Sequence, residues 1–134
     1  LDVGTQGVLN CIEYWKKQDD ITYLGINDSQ EDRETIRVIE RNGIRIALLN
    51  YTYGLNGRIL PKDKPYLVNL IDTTMIKSDL EKAEILADFT IVFPHWGVEY
   101  VYKPNKEQTS LAKLMVRYGA DLIIGTHPHV LQPI

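Results

Sequence analysis

The chain has 134 residues, 15 Lys plus Arg against 18 Asp plus Glu, and a formal charge of -3. That length supports one sizeable core, so a single domain over residues 1–134 is expected. The near-balanced charge without a basic run argues against a nucleic-acid footprint, and no apolar stretch approaches the roughly 18 residues that a membrane span needs.

The first periodic stretch, residues 6–18, predicts a helix with Val8, Ile12 and Trp15 on one face and Leu9 beside them. It carries Cys11, the single cysteine, which excludes an internal disulfide. No histidine pairs with Cys11, so it reads as a small buried hydrophobe. Residues 21–25 predict a short strand, and 26–32 a turn built on Asn27, Asp28 and Ser29. Residues 35–40 alternate and are β-branched. Asn42-Gly43 is a two-residue hairpin signal, and 44–51 is its more apolar, hence more central, partner.

Residues 52 to about 65 form a long connection containing Asn56-Gly57, Pro61 and Pro65; such loops are functional or mobile. Residues 66–70 form a candidate edge strand. Asp72 then caps a helix, with Met75 in place of the glutamate that a capping box needs. Ile76, Leu80, Ala83 and Ala87 give this helix its buried stripe, and Asp88 closes it. Residues 89–93 are a first core strand. Residues 107–118 predict a helix with Leu111, Leu114, Met115 and Tyr118 on one face, ended by Gly119 at C′. Residues 122–124 are a second core strand.

Both core strands run into histidines. The first ends in Pro94-His95-Trp96-Gly97-Val98-Glu99, the second in Gly125-Thr126-His127-Pro128-His129, and these hold all three histidines of the chain. A strand-helix-strand unit at 89–125 makes the two strands parallel neighbours, with both clusters beyond one carboxyl edge, where open α/β sheets bind ligands.

His127 and His129 stand two apart, and in an extended segment both side chains point to one side. Pro128 biases the residue before it toward extended geometry. Two neutral imidazoles could then share a cation or a phosphate. Glu99 could ligate, or orient a histidine from outside the ligand set. Gly125 permits close backbone approach, and Thr126 can donate to an oxyanion. The plainer alternative is that these are ordinary loop histidines. Trp96 is expected to be a lid on the core, the alternative being a ring that stacks on a substrate, and the tyrosines at 51, 53, 100 and 102 either flank a groove or are ordinary surface residues. Asn10, Asn50 and Gln108 have no evident partner. Asp121 lies at the far end of its strand and reads as a structural turn residue. Neither a Gly-x-Gly-x-x-Gly nor a P-loop motif occurs.

The segment His95-Trp96-Gly97-Val98-Glu99-Tyr100, then Gln108, then Gly119 through Gln132, resembles the capsule-biosynthesis (CapA-like, poly-gamma-glutamate capsule) family. That family is itself similar to calcineurin-like metallophosphoesterases. The resemblance implies a partial metallophosphoesterase-like α/β sandwich with a mixed sheet. It implies a divalent metal (Mn, Zn or Fe) held by His95, His127 and His129, and catalytic roles for His95, Glu99 and His127. Glu99 is matched to a position beside the site, and Asp2 to an acidic position just past the family's Asn-His motif. The family's aspartate-bearing early strands and its Asn-His pair would precede Leu1. The chain is therefore expected to be the central to C-terminal part of a larger domain, with an exposed sheet edge or a need to oligomerise.

The implied function is a metal-dependent hydrolase acting on an envelope polymer or a small phosphoester or amide. The alternative is a non-catalytic accessory domain of an envelope polymer synthesis complex. Either implies an extracytoplasmic or membrane-tethered setting.

Overall fold

Four strands, β1 (Arg37–Arg41), β2 (Ile44–Thr52), β3 (Phe89–His95) and β4 (Leu122–Ile123), form one mixed sheet in that order. The β1–β2 pair is antiparallel; β2–β3 and β3–β4 are parallel. The computed structural model describes residues 3–133, so the expectation attached to Asp2 lies outside the described residues. The hairpin between β1 and β2 turns on Asn42 (φ 53°) and Gly43 (φ 80°). Both are positive, as the tight turn that matches strand twist requires.

One face of the sheet is sealed. Ala47, Leu49 and Tyr51 of β2 sit in register with Thr90, Val92 and Pro94 of β3, and all six are buried. Helices α3 (Thr73–Leu86) and α4 (Lys106–Arg117) cover this face, and Ile76, Leu80 and Met115 complete its core with Ala120. The expected stripe of α3 holds at Ile76, Leu80 and Ala83, whereas Ala87 is a half-buried, extended C-cap. Asp88 lies just past the helix and ties it to the sheet, accepting from the Arg45 backbone N–H at 2.9 Å and from Arg45 Nη2 at 2.6 Å.

The opposite face carries Ile46, Leu48, Asn50 and Thr52 of β2 and Ile91, Phe93 and His95 of β3, all half-buried or in part exposed. The β-α-β unit of β3, α4 and β4 is as expected. The second layer of a sandwich is not among the described residues.

Helix α1 (Gly4–Trp15) packs away from the sheet. Val8 and Ile12 join Leu67, with Leu9, Tyr23, Ile26 and Leu60 against them. Leu60 is how the long loop is pinned. Cys11 corrects the expectation: it is exposed, because it lies about 100° round the helix from Ile12 and off the Val8–Ile12 stripe.

Two predicted strands do not form ladders. Around 21–25 and 66–70 there are only isolated bridges, Ile26 with Val68 and Thr52 with Leu70. Backbone bonds from the Asn27 N–H to the Leu67 carbonyl and from the Asn69 N–H to the Gly25 carbonyl are reinforced by asparagine side chains. Asn27 Nδ2 donates to the Tyr66 carbonyl and to Asn69 Oδ1, and Asn69 Nδ2 donates to the Asn50 carbonyl. Asn50 Nδ2 in turn donates to the Phe93 carbonyl, so Asn50 has its partners after all.

The expected turn at 26–32 contains the start of a short helix, α2 (Gln30–Glu34), capped by Ser29 Oγ accepting from the Asp32 N–H. Its Arg33 enters the core and meets Asp79 of α3: Nη2 to Oδ2 is 2.9 Å, and both side chains are about 5% exposed. Tyr51 donates its hydroxyl to the same Oδ2 at 2.8 Å. Burial, reinforced by the Asp79 charge, pushes the Tyr51 phenol well above its ordinary value. Arg33 Nε has no partner among the described residues.

Helix α4 opens with a full capping box. Asn105 Oδ1 accepts from the Gln108 N–H at 2.8 Å, and Gln108 Oε1 accepts from the Asn105 N–H at 2.9 Å. Replacing Asn105 by Ala is expected to cost about 1 kcal/mol, with Asn105→Asp much milder; urea unfolding of the two variants checks this.

Candidate metal centre

The carboxyl edge of β3 and β4 gathers the predicted residues. Their ladder runs through Ile91–Leu122 and Val92–Ile123, lapses, and resumes as a bridge between His95 and Thr126. The lapse has a covalent cause: Pro94 has no N–H to donate at that point of the ladder. Past it, the Pro94 carbonyl accepts from the Thr126 N–H at 2.9 Å, and the Trp96 N–H donates to the Thr126 carbonyl at 3.1 Å. His95 and the His127 segment are thus fixed side by side.

Trp96 lies between the histidines and the helices, 9% exposed, which supports its expected role as a lid on the core. Gly125 allows this. A Cβ placed there would stand 2.5 Å from Trp96 Nε1, so the indole packs against bare backbone. On the other side of the indole, Gly97 (φ 89°) makes room for the Gln108 side chain, whose amide atoms lie 2.7–2.8 Å from where a Cβ would be. Gln108 Nε2 donates to Gln132 Oε1, and Gln132 Nε2 donates to the Val101 carbonyl. Gln108 therefore fastens the loop after His95 to the tail after His129.

The histidines converge, though not as an extended segment would bring them together. His127 has φ 95° and His129 φ 56°. The chain turns at each, even though His127 precedes a proline. Tyr100 shares this conformation (φ 61°), with its N–H donating to the Pro128 carbonyl at 2.7 Å. Three of the five non-glycine residues with positive φ among the described residues thus surround one site. Each such residue costs on the order of 1–3 kcal/mol, which the surrounding structure must offset, and such strain clusters at functional sites.

Nitrogens of His127 and His129 and a carboxylate oxygen of Glu99 lie within 4.8 Å of one another. His127 Nδ1 is 4.0 Å from Glu99 Oε1. The His127 side chain is 10% exposed and hence fixed, while that of Glu99 is 52% exposed and free to adjust. Two imidazoles and a carboxylate form a donor set suited to a divalent transition metal. With bonds of about 2.0–2.2 Å, tetrahedral ligands stand about 3.4 Å apart, so donors at the 4.8 Å limit must close by up to about 1.4 Å. The exposed Glu99 side chain has room to make that closure.

Of the expected set His95, His127 and His129, the last two approach the Glu99 carboxylate, and His95 flanks them, its ring centroid 4.6 Å from that of His127. Burial, then the neighbouring His127 and His129, holds the His95 imidazole below its ordinary pKa. That favours the neutral ring that a metal or a proton can use.

Two tyrosines frame the group. Tyr53 stacks on His95 (5.8 Å, 14°) and meets His127 at 4.9 Å, while Tyr100 stacks on His129 at 5.7 Å. Tyr51, in contrast, belongs to the core. Tyr53 and Trp96 also border a cavity of about 480 Å³ between the amino ends of α3 and α4, walled by Ile71, Leu111 and Leu114 with Thr73, Glu107, Gln108 and Ser110 at its polar points. Its size suits a small organic ligand. Asp121 stays a turn residue, accepting from the Thr90 N–H at 2.8 Å, as expected.

The profile of the family described as "Bacterial capsule synthesis protein PGA_cap" matches residues 1–134. The chain belongs to that family. Two relatives agree. It is 36% identical over 137 residues to "Capsule biosynthesis protein CapA" of Bacillus anthracis, covering 98% of this chain and 33% of the relative. It is 34% identical over 145 residues to "PGA biosynthesis protein CapA" of Bacillus subtilis (strain 168), covering 100% of this chain and 35% of that one. The chain therefore spans about a third of the length of the curated relatives it matches. The histidine cluster is a feature of this PGA_cap segment itself, whatever the remaining two thirds of such relatives contribute. Among the described residues, no helix is long and apolar enough to cross a membrane.

Proposed function

We propose that this chain is the metal-centre segment of a capsule-biosynthesis protein, with Glu99, His127 and His129 holding one divalent cation. The supporting observation is the approach of those three donors to within 4.8 Å on a strained, tightly tied backbone. Zinc, manganese and iron(II) suit two imidazoles and a carboxylate. When bound, such an ion supplies a polarised water for hydrolysis of a phosphoester or an amide. His95, kept neutral beside the cluster, adds a further donor to the ion through its free ring nitrogen, or takes a proton and returns it to a leaving group. Tyr53 and Tyr100 bound the space above the imidazoles, and the adjoining cavity accommodates the body of a substrate.

The proposed setting is the cell envelope, on the outer side of the membrane, with an envelope polymer or a small phosphoester or amide as substrate. The proposed fold of the whole domain is a metallophosphoesterase-like sandwich, of which the sheet and its helical layer are one part. Assembly with a membrane-tethered complex, or with a second copy of the chain, belongs to the same proposal.

Elemental analysis tests it. The chain, loaded with zinc, manganese or iron(II) at neutral pH and desalted, is expected to retain near-stoichiometric metal. The His127→Ala/His129→Ala variant is expected to retain almost none. If the unsubstituted chain retains no metal, the centre falls, and an accessory domain of a polymer-synthesis complex becomes the better account.

A further inference from the structure

Among the described residues, His95 is the one histidine with a side-chain group within hydrogen-bond distance of a ring nitrogen. Thr52 Oγ1 lies 3.3 Å from His95 Nδ1. The two residues are register partners on β2 and β3, so they share a face at the carboxyl edge. Backbone bonds hold each in place. The Thr52 N–H donates to the Asn69 carbonyl and the Thr52 carbonyl accepts from the Ile71 N–H, both at 2.9 Å. The Tyr53 N–H donates to the His95 carbonyl at 3.0 Å, and the Tyr53 ring lies over the imidazole. Threonine is β-branched and stiff about χ1, so its hydroxyl oxygen has little freedom to leave.

A hydroxyl has one proton. The Thr52 oxygen is 3.1 Å from the Gly54 carbonyl oxygen, which can only accept. With the hydroxyl proton on that carbonyl, Thr52 turns a lone pair toward His95. The Gly54 N–H approaches the same oxygen at 3.5 Å, again treating it as an acceptor. His95 Nδ1 must then carry the imidazole proton, and Nε2, with no hydrogen-bond partner among the described residues, keeps its lone pair.

We infer that Thr52 is a positioning residue that fixes His95 as the Nδ1–H tautomer and leaves Nε2 as an open donor atom beside the Glu99–His127–His129 cluster. The tautomer stands on the hydrogen-bond geometry alone. Its use by a metal rests on the function proposed above.

The experiment is long-range ¹H–¹⁵N correlation of the histidine rings on the full chain, at a pH where His95 is neutral, with zinc titration in parallel. Thr52→Ser and Thr52→Val are compared with the parent. The parent and Thr52→Ser are expected to show Nε2 in the unprotonated ¹⁵N range and Nδ1 protonated. Thr52→Val keeps the shape without the acceptor; it is expected to populate the Nε2–H tautomer and to bind zinc about 10-fold or more weakly. Nε2 protonated in the parent overturns the inference, and so does an unchanged tautomer in Thr52→Val. The parent spectrum decides even if a variant folds poorly. The expected tautomers without zinc binding would uphold the role of Thr52 and remove the metal centre.

Discussion

Asp79→Ala is expected to lower the unfolding free energy by about 3–5 kcal/mol. Asp79 Oδ2 receives two buried donors, Arg33 Nη2 and the Tyr51 hydroxyl. Removing the carboxylate strands a guanidinium that is 5% exposed and whose Nε already lacks a partner among the described residues. It also strips the acceptor from a phenol that is 1% exposed. An uncompensated buried cation is the dominant loss; the cavity left by a shortened side chain adds to it. The companion variant separates the terms. Arg33→Met with Asp79→Ala removes both charges, and this double variant is expected to be more stable than Asp79→Ala alone. Urea unfolding of the set, read at unchanged m-value, checks both statements. A loss below about 1 kcal/mol for Asp79→Ala would mean that water reaches the guanidinium.

Gly125→Ala is the second large effect. The new methyl would stand 2.5 Å from Trp96 Nε1 and 3.3 Å from Cε2. A buried indole is a rigid neighbour. Either it moves into the space beside Gln108 or the backbone at 125 withdraws from β3. Overpacking of this kind costs about 1–3 kcal/mol. Withdrawal also displaces Thr126 and His127, so metal retention should fall together with stability. Trp96→Phe in the Gly125→Ala background shortens the ring and is expected to restore part of both. Equal stability and metal content in Gly125→Ala and the parent would show that the indole has room to turn aside.

Local grammar carried much of the fold. Asn42-Gly43 marked the hairpin, Asp72 marked the start of α3, and the apolar runs at 89–93 and 122–124 around one helix announced two parallel strands with histidines at a common edge. What could not be read locally depended on partners far along the chain. Arg33 and Asp79 are 46 residues apart, and neither looks like a core residue by itself. The asparagine chain from Asn27 to Asn69 to Asn50 reinforces the isolated bridges that stand where composition suggested strands at 21–25 and 66–70.

At the site, the two histidine clusters were legible as neighbours, but the way they converge was not. A two-residue spacing suggested an extended segment, but φ is positive at both histidines, at His127 despite the bias before proline. Whether Glu99 ligates or orients a histidine stays open in the sequence, because its distance to His129 depends on the turn at Tyr100, which no motif announces. One signal was available and unused. Asn105 followed three residues later by Gln108 is a capping-box pattern, and it would have given Gln108 a partner.

Pro94 has a consequence for how the molecule breathes. Because that position offers no proton to its neighbour, residues 125–129 are held to the rest by three backbone hydrogen bonds, through the Thr126 amide, the Thr126 carbonyl and the Pro128 carbonyl. None of these bonds belongs to the seven-residue register of β2 against β3. Releasing the histidine strap therefore leaves the central ladder intact, and the two regions open as separate units. An ion held as proposed above would be exchanged by unfastening a few contacts at the rim, on a timescale set by that local event rather than by unfolding of the whole chain.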